Sequence, residues 1–479
     1  MIRPIKEFTP SQKIGLSKLE KFLAKPVTRD INSRVFVLTG MAGTGKTTLI
    51  RYAFEKELLE DFNSIDKKEV GNNMFNQPNI MGVTMSHKAK NVLSQSIYIC
   101  KTFAATFGLK LVYGENGEQS FVKLPKKDME TFPCELPLKA FVHDECSMYD
   151  NPMLKHVLED TNYSSKIIFM GDAGQLPPIN SEGDLDSPVF TLELSDDNKH
   201  ELTERMRQSN ENPILALSDI VYAEIFGNQD LNRVLSCLKE DKLVDGMGHV
   251  TLNYSDFLND YKAISTDYTD TKVIAYRRER VEAFNNAIRR YVHNNPDRMF
   301  IDNEIIYMND TYTRTKNVKK FGKNVKVTEY VCYNSDEYLI KLVSEGIVDD
   351  IKCYMLHIDT AGHAHLLDNP DAFIPIPMAS SMAEYNRKCS QLAHFANTAE
   401  FKDRAFKWKK FYEFKNQFGD VAYGYCYTGH KIQGSGYKNI YVDINDIITV
   451  GPISDKRKLQ AIYTAMTRAT HLVKFLKAK

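Results

Sequence analysis
Short apolar runs recur along the chain, each closing on small or polar residues: Val35–Thr39, Ile80–Thr84, Ala140–His143, Lys166–Met170, Val273–Tyr276 and Asn439–Asp443. Runs this short and this rich in β-branched residues predict strands buried on both faces. Between them, Thr47–Leu58, Lys88–Ser96 and Arg280–Val292 read as helices. Strands alternating with helices predict parallel sheets covered on both sides, with any chemistry at the carboxyl ends of the strands. Four of the runs precede residue 175 and two follow residue 270, which predicts two α/β domains. Residues 311–423 have a different pattern. Alternating segments such as Tyr338–Leu342 give way to a Lys-, Phe- and Tyr-rich helical stretch from Met382 to Phe418. This reads as a β-rich insertion with a helical arm; its single tryptophan, Trp408, fits an anchor or a core position equally well.

Composition narrows the field only modestly. The chain has 479 residues, 43% hydrophobic and 26% charged, which excludes a disordered or fibrous protein. No apolar run approaches the roughly 18–20 residues needed to cross a bilayer, and Met1–Glu7 lacks a signal-peptide core. The expectation is therefore a cytoplasmic protein without a membrane partner. Lys plus Arg equals Asp plus Glu at 62 each, so any polyanion must be met by local basic strips. Lys88, Lys90, Lys101 and Lys431 lie in segments suited to line one, and the Lys/Arg cluster at 314–326 is a further candidate. The eight cysteines are scattered without CxxC pairs, which fits reduced thiols and argues against structural zinc or an iron–sulfur cluster.

The sharpest chemical signal is Gly40-Met41-Ala42-Gly43-Thr44-Gly45-Lys46-Thr47, a phosphate loop placed between a strand and a helix. Its glycines let backbone N–H groups approach phosphate oxygens, and the helix start adds its dipole. Gly43, Thr44, Gly45, Lys46, Thr47 and Thr48 are the predicted nucleotide contacts; Lys46 reaches the β- and γ-phosphates, and the Thr47 hydroxyl holds Mg²⁺. A second strand ends in His143-Asp144-Glu145. Asp144 is placed to bind Mg²⁺ and Glu145 to polarise an attacking water, a role that a hydrolase needs and a simple kinase does not. A third strand runs into Gly171-Asp172-Ala173-Gly174-Gln175-Leu176-Pro177-Pro178, where Gln175 offers a neutral amide to sense the γ-phosphate.

In this order the three motifs resemble the superfamily-1 DNA helicases, and within them the RecD-like branch with its Dda-like phage enzymes. The resemblance runs from about Phe8 to Leu476 and is weakest over 311–423. It implies a first RecA-like domain over 1–205, a second over 206–312 with 424–479, and a small SH3-like β-barrel with a helical tower inserted at 313–423. It also implies Gln12 as the adenine contact, and Ser86, His87, Lys88, Thr102 and Phe103 as DNA contacts in the first domain. Met85 and Ala104 depart from the family pattern, where Pro and His are usual. Thr428, His430 and Lys431 fall in the motif that couples DNA to the nucleotide cleft. Arg207, with Arg205 as the alternative register, matches the arginine that contacts the γ-phosphate, and Arg468 matches the arginine finger.

The Asn116-Gly117 pair is a hairpin turn signal in its own right. In Dda-like enzymes a hairpin here, about 109–122, is the pin that parts the duplex, which would make Tyr113, Asn116, Gly117 and Phe121 strand-separating residues. The tower would brace it. The implied function is an ATP-dependent helicase moving 5′-to-3′ on single-stranded DNA, a monomer in a host bacterial cytoplasm acting on forked DNA beside a replication or single-strand-binding protein. Two other readings stay open on the residues: an ATP-driven translocase that displaces proteins from nucleic acid, and a nucleotide-dependent regulatory switch. RNA is a possible track.

Overall fold
The computed structural model describes residues 8–66, 79–113, 119–124, 131–178, 185–205, 212–264, 269–294, 296–320, 323–360 and 373–477. The chain divides into two compact units. One comprises residues 1–254, 274–277 and 428–479, the other 255–273 and 278–427.

The first unit is organised by a parallel sheet. Its strands are β1 (Val35–Gly40), β2 (Ile80–Thr84), β3 (Cys100–Thr102), β6 (Ala140–His143), β7 (Lys166–Gly171) and β8 (Lys199–Leu202). They lie in the order β3-β2-β6-β7-β1-β8, every pairing parallel. Strand alternation sorts the side chains into two cores. Val35, Val37, Met81, Val83, Phe141, Ile167 and Phe169 face one, with Phe103, Phe107 and Tyr149. Phe36, Leu38, Ile80, Ala140, Val142, Ile168 and Met170 face the other, against α1 (Pro10–Ala24) and α2 (Lys46–Ala53). The four apolar runs before residue 175 are thus the central strands.

The edge strands β3 and β8 carried no apolar run. Cys-Lys-Thr and Lys-His-Glu-Leu are half-exposed and polar, as strands at a sheet edge are. The helix expected over Thr47–Leu58 is broken: α2 ends at Ala53, and a second helix starts at Glu55. Phe54 sits at the break, fully buried. Burying such a ring contributes about 1.5–3 kcal/mol, and the corner keeps its backbone bonds, Phe54 N–H donating to Ile50 O at 3.1 Å and Leu58 N–H to Phe54 O at 2.9 Å.

Between β3 and β6 the chain forms a short helix, Phe103–Phe107, and then an antiparallel pair, β4 (Leu109–Tyr113) and β5 (Gln119–Lys123). Their register runs from Leu109 opposite Lys123 to Tyr113 opposite Gln119. Asn116 and Gly117 lie outside the described residues, as do the side-chain surroundings of Tyr113 and Phe121. The same unit holds Tyr437–Asp443, Ala469–Lys477 and Met247–Asn253 side by side and parallel, with Lys242–Val244 antiparallel at the edge. The second predicted late strand, Thr271–Ala275, also forms.

In the second unit, an antiparallel sheet orders Phe373–Pro377, Ile351–Thr360, Glu337–Val348, Ile305–Met308 and Val421–Tyr423. Ile306, Met308, Tyr338, Ile340, Leu356, Ile358 and Ile374 make its core. A separate ribbon pairs Tyr312–Lys320 with Lys323–Cys332. The helical stretch expected from Met382 to Phe418 is two helices, Met382–Asn397 and Phe401–Lys415, interrupted at Thr398–Glu400. Trp408 is half-buried, edge-on to Phe411 at 5.3 Å. Among the described residues no helix is long and apolar enough to cross a membrane.

Candidate active site
All motifs of the first sheet converge because parallel strands bring their carboxyl ends to one edge. Gly40, Thr84, Thr102, His143, Gly171 and Leu202 are the last residues of their strands, and the candidate residues follow directly. After β1 the backbone turns through left-handed conformations at Gly43 (φ 84°) and Gly45 (φ 89°), where a side chain would be strained. A Cβ on Gly40 would meet the Leu202 carbonyl at 2.7 Å. The Lys46 ammonium folds back over the loop, donating to the carbonyls of Gly40 (2.6 Å) and Met41 (3.1 Å). Thr44 is buried; its hydroxyl donates to Met41 O at 2.9 Å and its backbone N–H to the same oxygen at 3.4 Å. Thr47 lies in the first turn of α2, half-exposed; Thr48 is exposed.

Gln12 is buried. It closes a capping box with Thr9 at the start of α1, and its amide donates to Thr44 O at 2.8 Å. That bond ties α1 to the phosphate loop.

Glu145 adopts φ 55°, a conformation rare outside glycine, and its N–H donates to its neighbour Asp144 at 2.9 Å. Strain of this kind gathers at functional sites. Burial raises the pKa of both carboxyls. Glu145 is pushed up to about 7 by desolvation first and Asp144 second, with Arg468 and Lys46 pulling the other way. Arg468, more than 420 positions along from Lys46, therefore shares one electrostatic neighbourhood with it.

The Asp172–Leu176 loop and the helix α6 (Asp455–Met466) interlock. Tyr463 donates its hydroxyl to Asp172 at 2.8 Å, and Leu176 N–H donates to the Thr464 hydroxyl at 2.9 Å. Gln433 donates to Leu176 O at 3.0 Å. Arg468 is buried, with only long contacts to Ser435 O and the Thr467 hydroxyl, both 3.5 Å. Among the described residues, Gln175 Oε1, Gln433 Oε1, Ser435 Oγ and Arg468 Nε lie buried here without a hydrogen-bond partner. Folded proteins rarely leave such atoms unmatched without a ligand or a chemical use for them.

Arg207 lies outside the described residues. Arg205 pairs with Asp219 at 2.8 Å and touches the sulfur of Met41 in the phosphate loop at 3.1 Å.

The predicted DNA contacts divide. Ser86 caps the helix that begins at His87, accepting from Ala89 N–H at 3.1 Å. Thr102 caps the Phe103–Phe107 helix. Lys88 bonds the Tyr437 hydroxyl and lies 4.5 Å over its ring. Thr428, His430 and Lys431 are half-exposed, and the pKa of His430, bonded to Pro177 O, is lowered by burial to about 4. His87 falls to about 3, through burial and then Lys90. Both imidazoles are neutral at pH 7, which leaves the lysines as the cationic groups of the set. Phe103 needs correction as a base contact: it is 1% exposed, packed on Phe107 and Tyr149, and offers no free ring face.

Asp172, Tyr463, Thr464 and Gln433 were not singled out from sequence. All four stand inside the motifs that carry the helicase resemblance, and only the fold reveals their partners. Among the described residues no cluster of three or more His, Cys, Asp or Glu side chains could hold a metal by itself. Thr47 and Asp144 fit a cation completed by phosphate oxygens, the usual arrangement for Mg²⁺, and Asp144 has its Glu145 N–H as a partner.

Residues 26–225 match the AAA domain family and residues 423–476 the UvrD-like helicase C-terminal domain. In these matches, and in their order along the chain, the protein is similar to the superfamily-1 helicases. In particular it is similar to the ATP-dependent DNA helicase Dda of Enterobacteria phage T4, 26% identical over 85% of this chain and 86% of that protein. An uncharacterised protein of Acanthamoeba polyphaga mimivirus is 23% identical over 98% of this chain and 99% of its own length. Among solved structures, Pif1 helicase from Bacteroides in complex with ADP-AlF3 and ssDNA is 14% identical, with TM-score 0.44 and coverage of 98% and 92%. Pif1 from Candida albicans is 11% identical, with TM-score 0.45 and coverage of 100% and 95%.

Proposed function
We propose that the protein is an ATP-driven DNA helicase that moves 5′-to-3′ on single-stranded DNA and parts the duplex with the β4–β5 hairpin. The observation that carries this reading is the cluster of half-buried Lys46, Asp144 and Glu145 with buried Gln175, Gln433 and Arg468, and its unmatched polar atoms. A γ-phosphate oxygen would give Arg468 Nε–H an acceptor, and the amide oxygens Gln175 Oε1 and Gln433 Oε1 are acceptors for the O–H groups of an attacking water. Lys46 and Arg468 neutralise the charge that develops on the transferred phosphoryl group. Glu145 takes a proton from the attacking water as it bonds to the γ-phosphorus, and ADP leaves. Thr47 and Asp144 would hold Mg²⁺, which supplies charge neutralisation of the phosphates. Once the γ-phosphate is gone, Gln175 and Arg468 lose their shared partner, and the lobes of the first unit that they belong to are released for the next step. Ser86, Lys88, Thr102, Thr428 and Lys431 grip the strand through phosphates, without sequence preference.

Glu145 acts only when ionised. With its pKa near 7 in the nucleotide-free site, kcat/KM for ATP rises with pH through the neutral range and falls as the group protonates below it. A flat profile over roughly pH 6 to 8 contradicts the assignment. Deleting residues 114–117 impairs strand separation more than single-strand-stimulated ATPase; equal loss of both rules out a dedicated pin. The reading as a whole is tested by ATPase with and without single-stranded DNA, where stimulation separates a motor from a regulatory switch.

A further inference from the structure
The Gln175 amide can sense a phosphate only if its loop is held still, and the loop rests on two tyrosines. Asp172 braces it from within, accepting from Gly174 N–H at 3.0 Å and from the Tyr463 hydroxyl at 2.8 Å. Gly174 is roofed by two rings: a Cβ there would come within 2.7 Å of Tyr222 and 3.2 Å of Tyr463. Tyr222 belongs to α5 (Pro213–Phe226). Its ring lies 5.5 Å from that of Tyr463, and its hydroxyl donates to Glu201 on β8 at 2.9 Å. Tyr222 also borders a cavity of about 640 Å³, lined by Lys18, Val37, Phe190, Glu201 and Phe226 as well. The ring thus has open space beside it, and the Glu201 bond holds its hydroxyl in place.

The geometry points to Tyr222, anchored by Glu201, as a positioning residue for ATP hydrolysis: it clamps Gly174 and so fixes the aim of the neighbouring Gln175 amide. This rests on the reading of the cluster as an ATP-hydrolysing site. Tyr222 touches no phosphate, so the clamp acts on turnover and leaves nucleotide binding alone. Misplacing a group that must meet the transition state costs rate even where affinity survives.

The test uses the full chain, with a fluorescent ATP analogue for affinity and single-strand-stimulated ATPase for turnover. In Tyr222→Ala, kcat falls about tenfold with KM and melting temperature near wild type. Tyr222→Phe and Glu201→Ala fall by about threefold, each losing the anchor but keeping the ring or its site. Glu201→Gln, which retains an acceptor oxygen, restores wild-type turnover. Gly174→Ala lowers kcat alone and loses most of that effect in the Tyr222→Ala background, where the 2.7 Å approach is gone and only the 3.2 Å approach to Tyr463 remains. Wild-type kcat in Tyr222→Ala overturns the clamp, as does parallel loss of kcat, affinity and melting temperature. A wild-type protein that binds no ATP overturns the site reading instead, and the clamp with it.

Discussion

Lys46→Ala lowers single-strand-stimulated ATP turnover by about 10²–10³-fold while single-strand binding stays within a factor of about two, because one preorganised cation at the phosphate loop is lost and the lysines proposed to meet DNA are untouched. The ammonium is held over the loop by Gly40 O and Met41 O, so it is in place before nucleotide arrives. That preorganisation is the source of the effect: the charge need not be recruited during the reaction. Turnover and filter-binding measurements on the same preparation check it. Wild-type-like turnover removes the phosphate assignment.

Arg468→Ala separates binding from chemistry. The guanidinium is buried, holds only 3.5 Å contacts to protein oxygens and has Nε unmatched. A guanidinium held this loosely suits the proposed service to a charge that appears during the reaction. ATP affinity is retained, and kcat falls by about 10³-fold, the range typical of an arginine finger. The variant also loses a cation that holds Glu145 down, so any residual activity shifts its pH dependence to higher pH. Normal kcat excludes a finger at this position, and loss of affinity equal to the loss of kcat makes Arg468 a ground-state contact.

The parts of the fold legible in the sequence were those whose residues carry their own signal. The central strands β1, β2, β6 and β7 are buried on both faces, so their apolar runs are continuous. The edge strands β3 and β8 gain their place from one neighbour only and have no such run. The phosphate loop declares itself through glycines at φ 84° and 89° that no other residue adopts comfortably. Partnerships between distant segments were not legible. Nothing in Gly171–Pro178 says that Asp172 receives a hydroxyl from Tyr463, 291 positions away. Nor does Thr102-Phe103-Ala104 say that the ring turns inward to Phe107 and Tyr149; a helix cap at Thr102 decides that, by setting which face of the following turn meets the core.

The central claim is that hydrolysis in this cluster drives movement along one strand. Strand separation measured with ATP on duplexes bearing a single 5′ or a single 3′ tail tests it most directly. The account predicts ATP-dependent separation of the 5′-tailed duplex and none of the 3′-tailed one. Separation of neither substrate by a protein that hydrolyses ATP, or separation that proceeds without ATP, contradicts it.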